Sequence, residues 1–136
     1  MSEARPAIDV AVAVIVSSSN VLLSLRHDHQ DQGGLWEFPG GKVEHGESPL
    51  QALYRECQEE LSIKVEDPSS FIQIWFDYQA YTVLLHVYYV TQFVGQPRGV
   101  EGQAVEWVSM DRLSEYPLPA ANESIVSALS MRFALA

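Results

Sequence analysis

Basic residues are scarce in this chain. Eight lysines and arginines stand against 18 aspartates and glutamates, for a formal charge of −10. That sign excludes nonspecific binding to long nucleic acid, which needs basic groups along the phosphates. A small anionic substrate remains compatible where a cation and a few local basic groups neutralise it. One cysteine excludes an intramolecular disulfide and fits a reducing compartment. Long apolar runs are missing as well, and residues 10–16 are too few to span a bilayer. The opening MSEARPAIDV has no basic segment ahead of an apolar one, so nothing there reads as a secretory signal. The expectation is a cytoplasmic protein with no membrane partner. What is present is ordinary for a globular chain. With 136 residues, 47% of them hydrophobic, it reads as one domain over residues 1–136 with a sizeable core.

Taken in order, residues 1–7 read as a loose tail. Residues 8–16 (IDVAVAVIV) form a buried strand by their β-branched content, and residues 21–26 (VLLSLR) return after turn chemistry at 17–20. Residues 27–34 (HDHQDQGG) are a polar loop. His27, Asp28, His29 and Asp31 hint at a transition metal, but no further soft ligands stand at suitable spacing. Residues 35–38 (LWEF) are a short strand running into glycines. Beyond an acidic helix, 64–70 is a connecting loop, and 71–78 with 82–93 form a hairpin. Residues 94–102 are a loop carrying Glu101, and 104–108 a further strand. Ser109 caps a short turn at 110–113, and 116–121 is extended and broken by proline. Asn122 caps a terminal helix over 123–133, with Ile125, Val126, Leu129 and Phe133 as its apolar face. The order β-β-β-α-β-β-β-α makes one α+β domain with helices packed on a mixed sheet.

The rest of the chain serves residues 40–63, GGKVEHGESPLQALYRECQEELSI. Ser48 is a good N-cap, Pro49 suits the first helical position, and Gln51 sits where a capping box needs its partner. Leu50, Leu53, Tyr54, Cys57 and Leu61 follow at helical spacing and predict the buried stripe. Glu56, Glu59 and Glu60 fall together on another side, within about 100° of arc. Like charges three and four apart repel by roughly 0.2–0.5 kcal/mol per pair, and anions near a helix C-terminus oppose the macrodipole. A solvated acidic face and a site for a hard divalent cation, Mg²⁺ or Mn²⁺, both account for these residues taken alone.

The spacing of the whole stretch adds more. Gly41, then five residues, then Glu47, then seven residues, then Arg55-Glu56-Cys57-Gln58-Glu59-Glu60-Leu61-Ser62-Ile63 resembles the Nudix box, G-x5-E-x7-R-E-U-x-E-E-x-G-U with U aliphatic. Cys57 replaces an aliphatic residue mildly. Ser62 stands where the box has glycine, at a cost of about 1 kcal/mol if that position is a left-handed helix cap. The similarity extends to Leu35–Lys42, to Glu101-Gly102-Gln103 with Glu106-Trp107, and to Pro119-Ala120-Ala121-Asn122-Glu123. These segments look like the MutT-type branch, the 8-oxo-dGTP diphosphatases that sanitise the nucleotide pool.

The resemblance implies a Nudix α/β/α sandwich and attack of water on a nucleoside triphosphate to give NMP and pyrophosphate, with Mg²⁺ as cofactor and Mn²⁺ able to substitute. It implies metal ligation by the Gly40 carbonyl and by Glu56, Glu59, Glu60 and Glu101. Glu56 is the first candidate for the general base and Glu101 the second. Gly41 shapes the box, and Arg55 orients it by pairing with Glu47. Arg26 contacts the phosphate region, and Lys42 either helps there or is a solvated loop lysine. Asn122, with the backbone at Phe38, reads the purine edge, and Tyr78 lies near the base. Asn122 also suits a plain helix cap. Its amide offers donor and acceptor together, and N7 carries a hydrogen in 8-oxoguanine but not in guanine. The substrate class is therefore a small nucleotide and the expected state a monomer. The enzymatic alternative is a pyrophosphohydrolase for CTP or modified dCTP. A noncatalytic nucleotide-binding regulatory module would tolerate loss of the box glutamates, which are all kept. A calcium sensor lacks its D-x-D-x-D-G loop.

Overall fold

The computed structural model describes residues 7–27 and 33–134, the last two as helix backbone only. Asp28, His29 and Asp31 of the polar loop, the tail before Ala7 and the side chain of Phe133 lie outside the described residues.

Strand β1 (Ala7–Ser17) is the spine. Its period-2 alternation sends Val12, Val14 and Val16 into one core and Ala11, Ala13 and Ile15 into another. On one side it runs parallel to β7 (Tyr81–Val90) from Ala7↔Thr82 to Ile15↔Val90. On the other it pairs antiparallel with β2 (Asn20–Leu25) and with β4 (Gly40–Lys42). Strand β3 (Trp36–Glu37) and β9 (Val105–Ser109) flank β2, and β6 (Ser69–Tyr78) closes the far edge against β7. The result is a seven-stranded mixed sheet.

The two cores belong to two helices. Helix α1 (Pro49–Leu61) puts Ala52, Leu53, Cys57 and Leu61 onto Ala11, Ala13 and Ile15. Small alanines at those strand positions leave room for the helix to approach. Helix α2 (Ala120–Ala134) puts Ile125 and Leu129 onto Val14, Leu23 and Val87 on the opposite face. The expected α/β/α layering is thus observed. No helix among the described residues is long and apolar enough to cross a membrane.

Several elements differ from the sequence reading. Residues 64–70 are not a plain loop: β5 (Lys64–Glu66) pairs with β8 (Gln92–Val94), a separate small sheet split from β7 at Thr91. Residues 35–42 hold two strands, because Pro39 cannot donate to a ladder; its carbonyl instead accepts from Ala13 N–H at 2.8 Å. The turn after β9 is a 3₁₀ helix (Met110–Glu115), and the Ser109 side chain makes no cap bond. Leu50 and Tyr54 are 39% exposed, so the buried stripe of α1 is narrower than its apolar content. Helix α2 starts at Ala120 rather than at residue 123, and Asn122 is not its cap. The Asn122 N–H donates to the Pro119 carbonyl at 2.9 Å, and its side-chain oxygen is engaged across the cleft instead.

The N-terminus of α1 forms as expected. Ser48 Oγ accepts from Gln51 N–H at 3.1 Å and Gln51 Oε1 from Ser48 N–H at 2.8 Å, a reciprocal capping box. At the other end Ser62 adopts φ 58°, ψ 39°, a left-handed conformation that glycine holds without steric cost. Ser62→Gly is therefore expected to stabilise the fold by about 0.5–1 kcal/mol. Chemical denaturation reads this as a higher midpoint at unchanged slope; a lower midpoint contradicts it.

Candidate active site

The site grows from the β1–β4 pairing. Val12↔Gly40 and Ala11↔Gly41 are in register, and a side chain on Gly40 would run into the Ala11 carbonyl oxygen. Gly41 has a different constraint: a Cβ there would occupy the place of the Glu56 carboxylate. The two glycines thus let the strand lie against β1 on one side and against an acid of α1 on the other.

Arg55 organises those acids. Its guanidinium meets Glu47 in two bonds, Nε–Oε2 at 2.8 Å and Nη2–Oε1 at 3.0 Å. It also donates to Glu56 Oε1 at 2.7 Å, Glu59 Oε2 at 3.1 Å and the Lys42 carbonyl at 2.9 Å. The planar fork suits such multiple contacts, as lysine would not. The Arg55 guanidinium in turn holds the Glu47 carboxyl below the usual carboxylate range, helped by the Glu44 backbone N–H. Arg55 itself is pushed still higher by Glu47 and Glu56, against the opposing effect of burial.

Glu60 is in the opposite condition. Burial, then the charge of Glu56, then a hydrogen bond with Glu56 and the charge of Glu37, drive its carboxyl well above the ordinary range. The Gly40 N–H, at 3.4 Å from Oε2, offsets only part of this. Glu60 also lines a small polar pocket with Glu37, Glu101, Gln103 and His27. Glu101 is exposed at its rim. Glu59 is turned to Arg55, its side chain 58% exposed. Among the described residues no three acidic, histidine or cysteine side chains converge on one point at ligand distance. The structure therefore brings Glu56 and Glu60 together, sets Glu101 beside Glu60, and leaves Glu59 on the outer side of the guanidinium. An oxygen-only donor set with one carboxylate made costly by its neighbours fits a hard divalent cation, whose charge would remove that cost. Cys57, behind these acids, is buried, and its thiol is pushed up to about 12 by burial and by Glu60 and Glu56; it is packing, not a nucleophile.

A cleft of about 210 Å³ runs from Gly40 and Gly41, the backbone beside Glu56 and Glu60, to α2 and is lined also by Arg26, Glu37, Phe38, Lys42, Tyr78 and Asn122. Arg26 Nη1 lies 2.8 Å from Glu37 Oε1. Burial raises the Glu37 carboxyl, and Arg26 works against that rise. At the far end Asn122 Oδ1 accepts from the Phe38 N–H at 3.2 Å, and no described group accepts from its Nδ2. Tyr78 stacks on Tyr81 at 5.2 Å and lies 4.7 Å from Phe76, forming an aromatic wall. Sequence reasoning gave no role to Glu37 or Gln103. The signals were there: a charged residue inside the short LWEF strand, and a glutamine two residues after Glu101.

The raised Glu60 carboxyl has a pH consequence. Between the unfolded value of 4.5 and its higher folded value, the native state holds a proton that the unfolded state has released. Stability then falls as pH rises through that window, by at most about 1.4 kcal/mol per pH unit. In chelator, thermal unfolding of the wild type should lose more stability from pH 5 to 8 than Glu60→Gln does. Parallel curves for the two would contradict the burial assigned to Glu60.

Known proteins agree with this geometry. The NUDIX domain family matches residues 11–128. The chain is 37% identical to a CTP pyrophosphohydrolase of Escherichia coli K12 over 121 residues, covering 89% of this chain and 90% of that protein. It is 34% identical to an 8-oxo-dGTP diphosphatase of the same organism over 123 residues, covering 90% and 95%. Among solved structures, a MutT from a study of the Aliivibrio salmonicida and Vibrio cholerae proteins superimposes with TM-score 0.81 at 39% identity, covering 92% of this chain and 98% of that one. The MutT protein of Methanosarcina mazei superimposes with TM-score 0.84 at 26% identity, covering 96% and 98%. With the box, the two helix-covered faces and the cleft in place, the chain belongs to the NUDIX domain family and is a MutT-type Nudix hydrolase.

Proposed function

We propose that this enzyme hydrolyses 8-oxo-dGTP to 8-oxo-dGMP and pyrophosphate, with Mg²⁺ as cofactor and Mn²⁺ able to substitute. On this reading it acts in the cytoplasm as a monomeric single domain on a small nucleotide, and its work is nucleotide-pool sanitation. The observation that carries the base assignment is the bond from the Phe38 N–H to Asn122 Oδ1. A main-chain donor cannot change sign, so it pins the amide with its oxygen on one side and its Nδ2 donors on the other. An 8-oxopurine meets that pair with N7–H and O6. Guanine would set the N7 lone pair against Oδ1, and the amide cannot flip without losing the Phe38 bond. A site built for a hydrogen bond discriminates strongly against the analogue that lacks it.

At the other end of the cleft, Glu56, Glu60, Glu101 and the Gly40 carbonyl are the groups proposed to hold the cation, with Glu59 joining by turning from Arg55. When bound, the cation supplies an acidified water and neutralises charge on the attacked phosphate. Glu56, oriented by the hydrogen bond it accepts from Arg55, is the first candidate to act as general base, and Glu101 is the second. Arg26 and Lys42 supply positive charge along the cleft for the phosphates. The Arg26–Glu37 pair keeps the guanidinium aligned before substrate arrives.

One observation favours a second reading. An acceptor beside a donor also suits the N4–H and N3 of cytosine, and the E. coli relative described above is a CTP pyrophosphohydrolase. A panel of kcat/KM values for 8-oxo-dGTP, dGTP and CTP separates the two, and a wild type that prefers CTP overturns the first.

Two expectations follow from the site. Turnover should stop in excess chelator, and Glu56→Gln and Glu60→Gln should each lose about 10²–10⁴-fold in kcat, the range for removing a positioned proton acceptor or an electrostatic stabiliser; full activity in chelator would contradict the cation assignment. Asn122→Ala should collapse the ratio of kcat/KM for 8-oxo-dGTP over dGTP while leaving dGTP hydrolysis nearly unchanged. Asn122→Ala also leaves the Phe38 N–H without its acceptor, a loss of about 1–3 kcal/mol, so thermal unfolding is measured beside the kinetics. An unchanged ratio removes Asn122 from base reading.

A further inference from the structure

The loop that carries Glu101 is fastened to the end of helix α1. Arg98 N–H donates to the Leu61 carbonyl at 3.1 Å and Val100 N–H to the Glu60 carbonyl at 3.0 Å. These are carbonyls that a helix C-terminus leaves without intrahelical partners. Gly102 N–H closes a turn on the Gly99 carbonyl at 3.0 Å. Gly99 is required there, because a Cβ would run into the Gln103 carbonyl oxygen.

Gln103 completes the fastening with its side chain. Nε2 donates to the Glu60 carbonyl at 3.0 Å, and Oε1 accepts from the Glu101 N–H at 2.9 Å. One amide thus joins the backbones of the two acids that share the polar pocket. Its donor end and acceptor end are both used, so no other side chain of that length can do the same. The bonds reach the backbone of each acid and leave both carboxylates unengaged by the amide.

We infer that Gln103 is a positioning residue that sets Glu101 against Glu60 for a shared divalent cation. The inference rests on Glu60 and Glu101 being cation ligands, as proposed above. Gln103 touches neither the cation nor the nucleotide. Its effect is to fix where the Glu101 carboxylate starts from, and groups that orient ligands in this way typically change metal affinity by about 10–100-fold when removed.

Mn²⁺ binding to the whole chain without nucleotide, read from the paramagnetic resonance signal of the free ion, tests this. Gln103→Met keeps the length and volume of the side chain and removes both bonds; it should raise the Mn²⁺ dissociation constant by about 10-fold. Gln103→Glu keeps the acceptor for Glu101 N–H and loses the donor to Glu60; it serves as the second variant should Gln103→Met fold poorly, and should also bind more weakly than the wild type. Glu101→Gln alone should weaken binding, and Gln103→Met added to it should change the constant by less than about twofold, since the two act as one unit. A purely structural role would weaken binding equally in both backgrounds, and that result overturns the inference. Wild-type affinity in both Gln103 variants, with Glu101→Gln weakened, overturns it while leaving the cation assignment intact. Wild-type affinity in Glu101→Gln removes Glu101 from the ligands and overturns the inference together with that assignment.

Discussion

Arg55 is the residue on which the site depends. Four carboxylates and a backbone carbonyl surround its guanidinium: Glu47, Glu56, Glu59, Glu44 at 3.6 Å, and Lys42 O. A chain of net charge −10 could not crowd acids onto one helix face without a fixed counter-charge. Arg55 supplies it for the loop before the helix and for the outer side of the acidic face. It does not reach Glu60. That carboxyl is left with burial and the charges of Glu56 and Glu37 against it. The imbalance is local, and it is the feature that asks for a second, dissociable positive charge.

The sheet converts this local arrangement into a site with two ends. Strand β1 places Gly40 and Gly41 by pairing with β4, and Phe38 stands just before them. The backbone that brings an acid of α1 against Gly41 therefore also carries the N–H that pins Asn122 from α2. Helices from opposite faces of the sheet meet at one short segment, 36–42. On the proposed function, rigid elements thus hold phosphate chemistry and base reading at a fixed separation. The loop fastened on the end of α1 adds Glu101 from a third direction.

Much of this was legible in the sequence, and the failures have physical causes. The capping box at Ser48 and Gln51, the hairpin of β1 and β2, and the left-handed position of Ser62 are local, and local chemistry reads directly. The spacing from Gly41 to Ile63 named the family because the fixed positions answer geometric demands, such as the room beside Gly41. Asn122 suits both a helix cap and base reading in the sequence; local chemistry alone cannot choose, because the group that engages its side chain, the Phe38 N–H, is 84 residues away. The pairing of β5 with β8 was invisible for the same reason. Leu50 and Tyr54 satisfy helical periodicity yet stay half-exposed, because the sheet covers a narrower stripe than the apolar residues offer. Gln103 carried no chemical signal of its own; its two bonds are set by where the loop docks.

Glu56 and Glu60 come together beside Gly40 and Gly41, and their proposed role is to hold one cation between them. Anomalous diffraction from a crystal of this protein soaked in Mn²⁺ tests it most directly. The expected result is a peak ligated by carboxylate oxygens of both Glu56 and Glu60. A peak confined to exposed acids elsewhere on the surface, with the Glu56–Glu60 pair empty at saturating Mn²⁺, would contradict it.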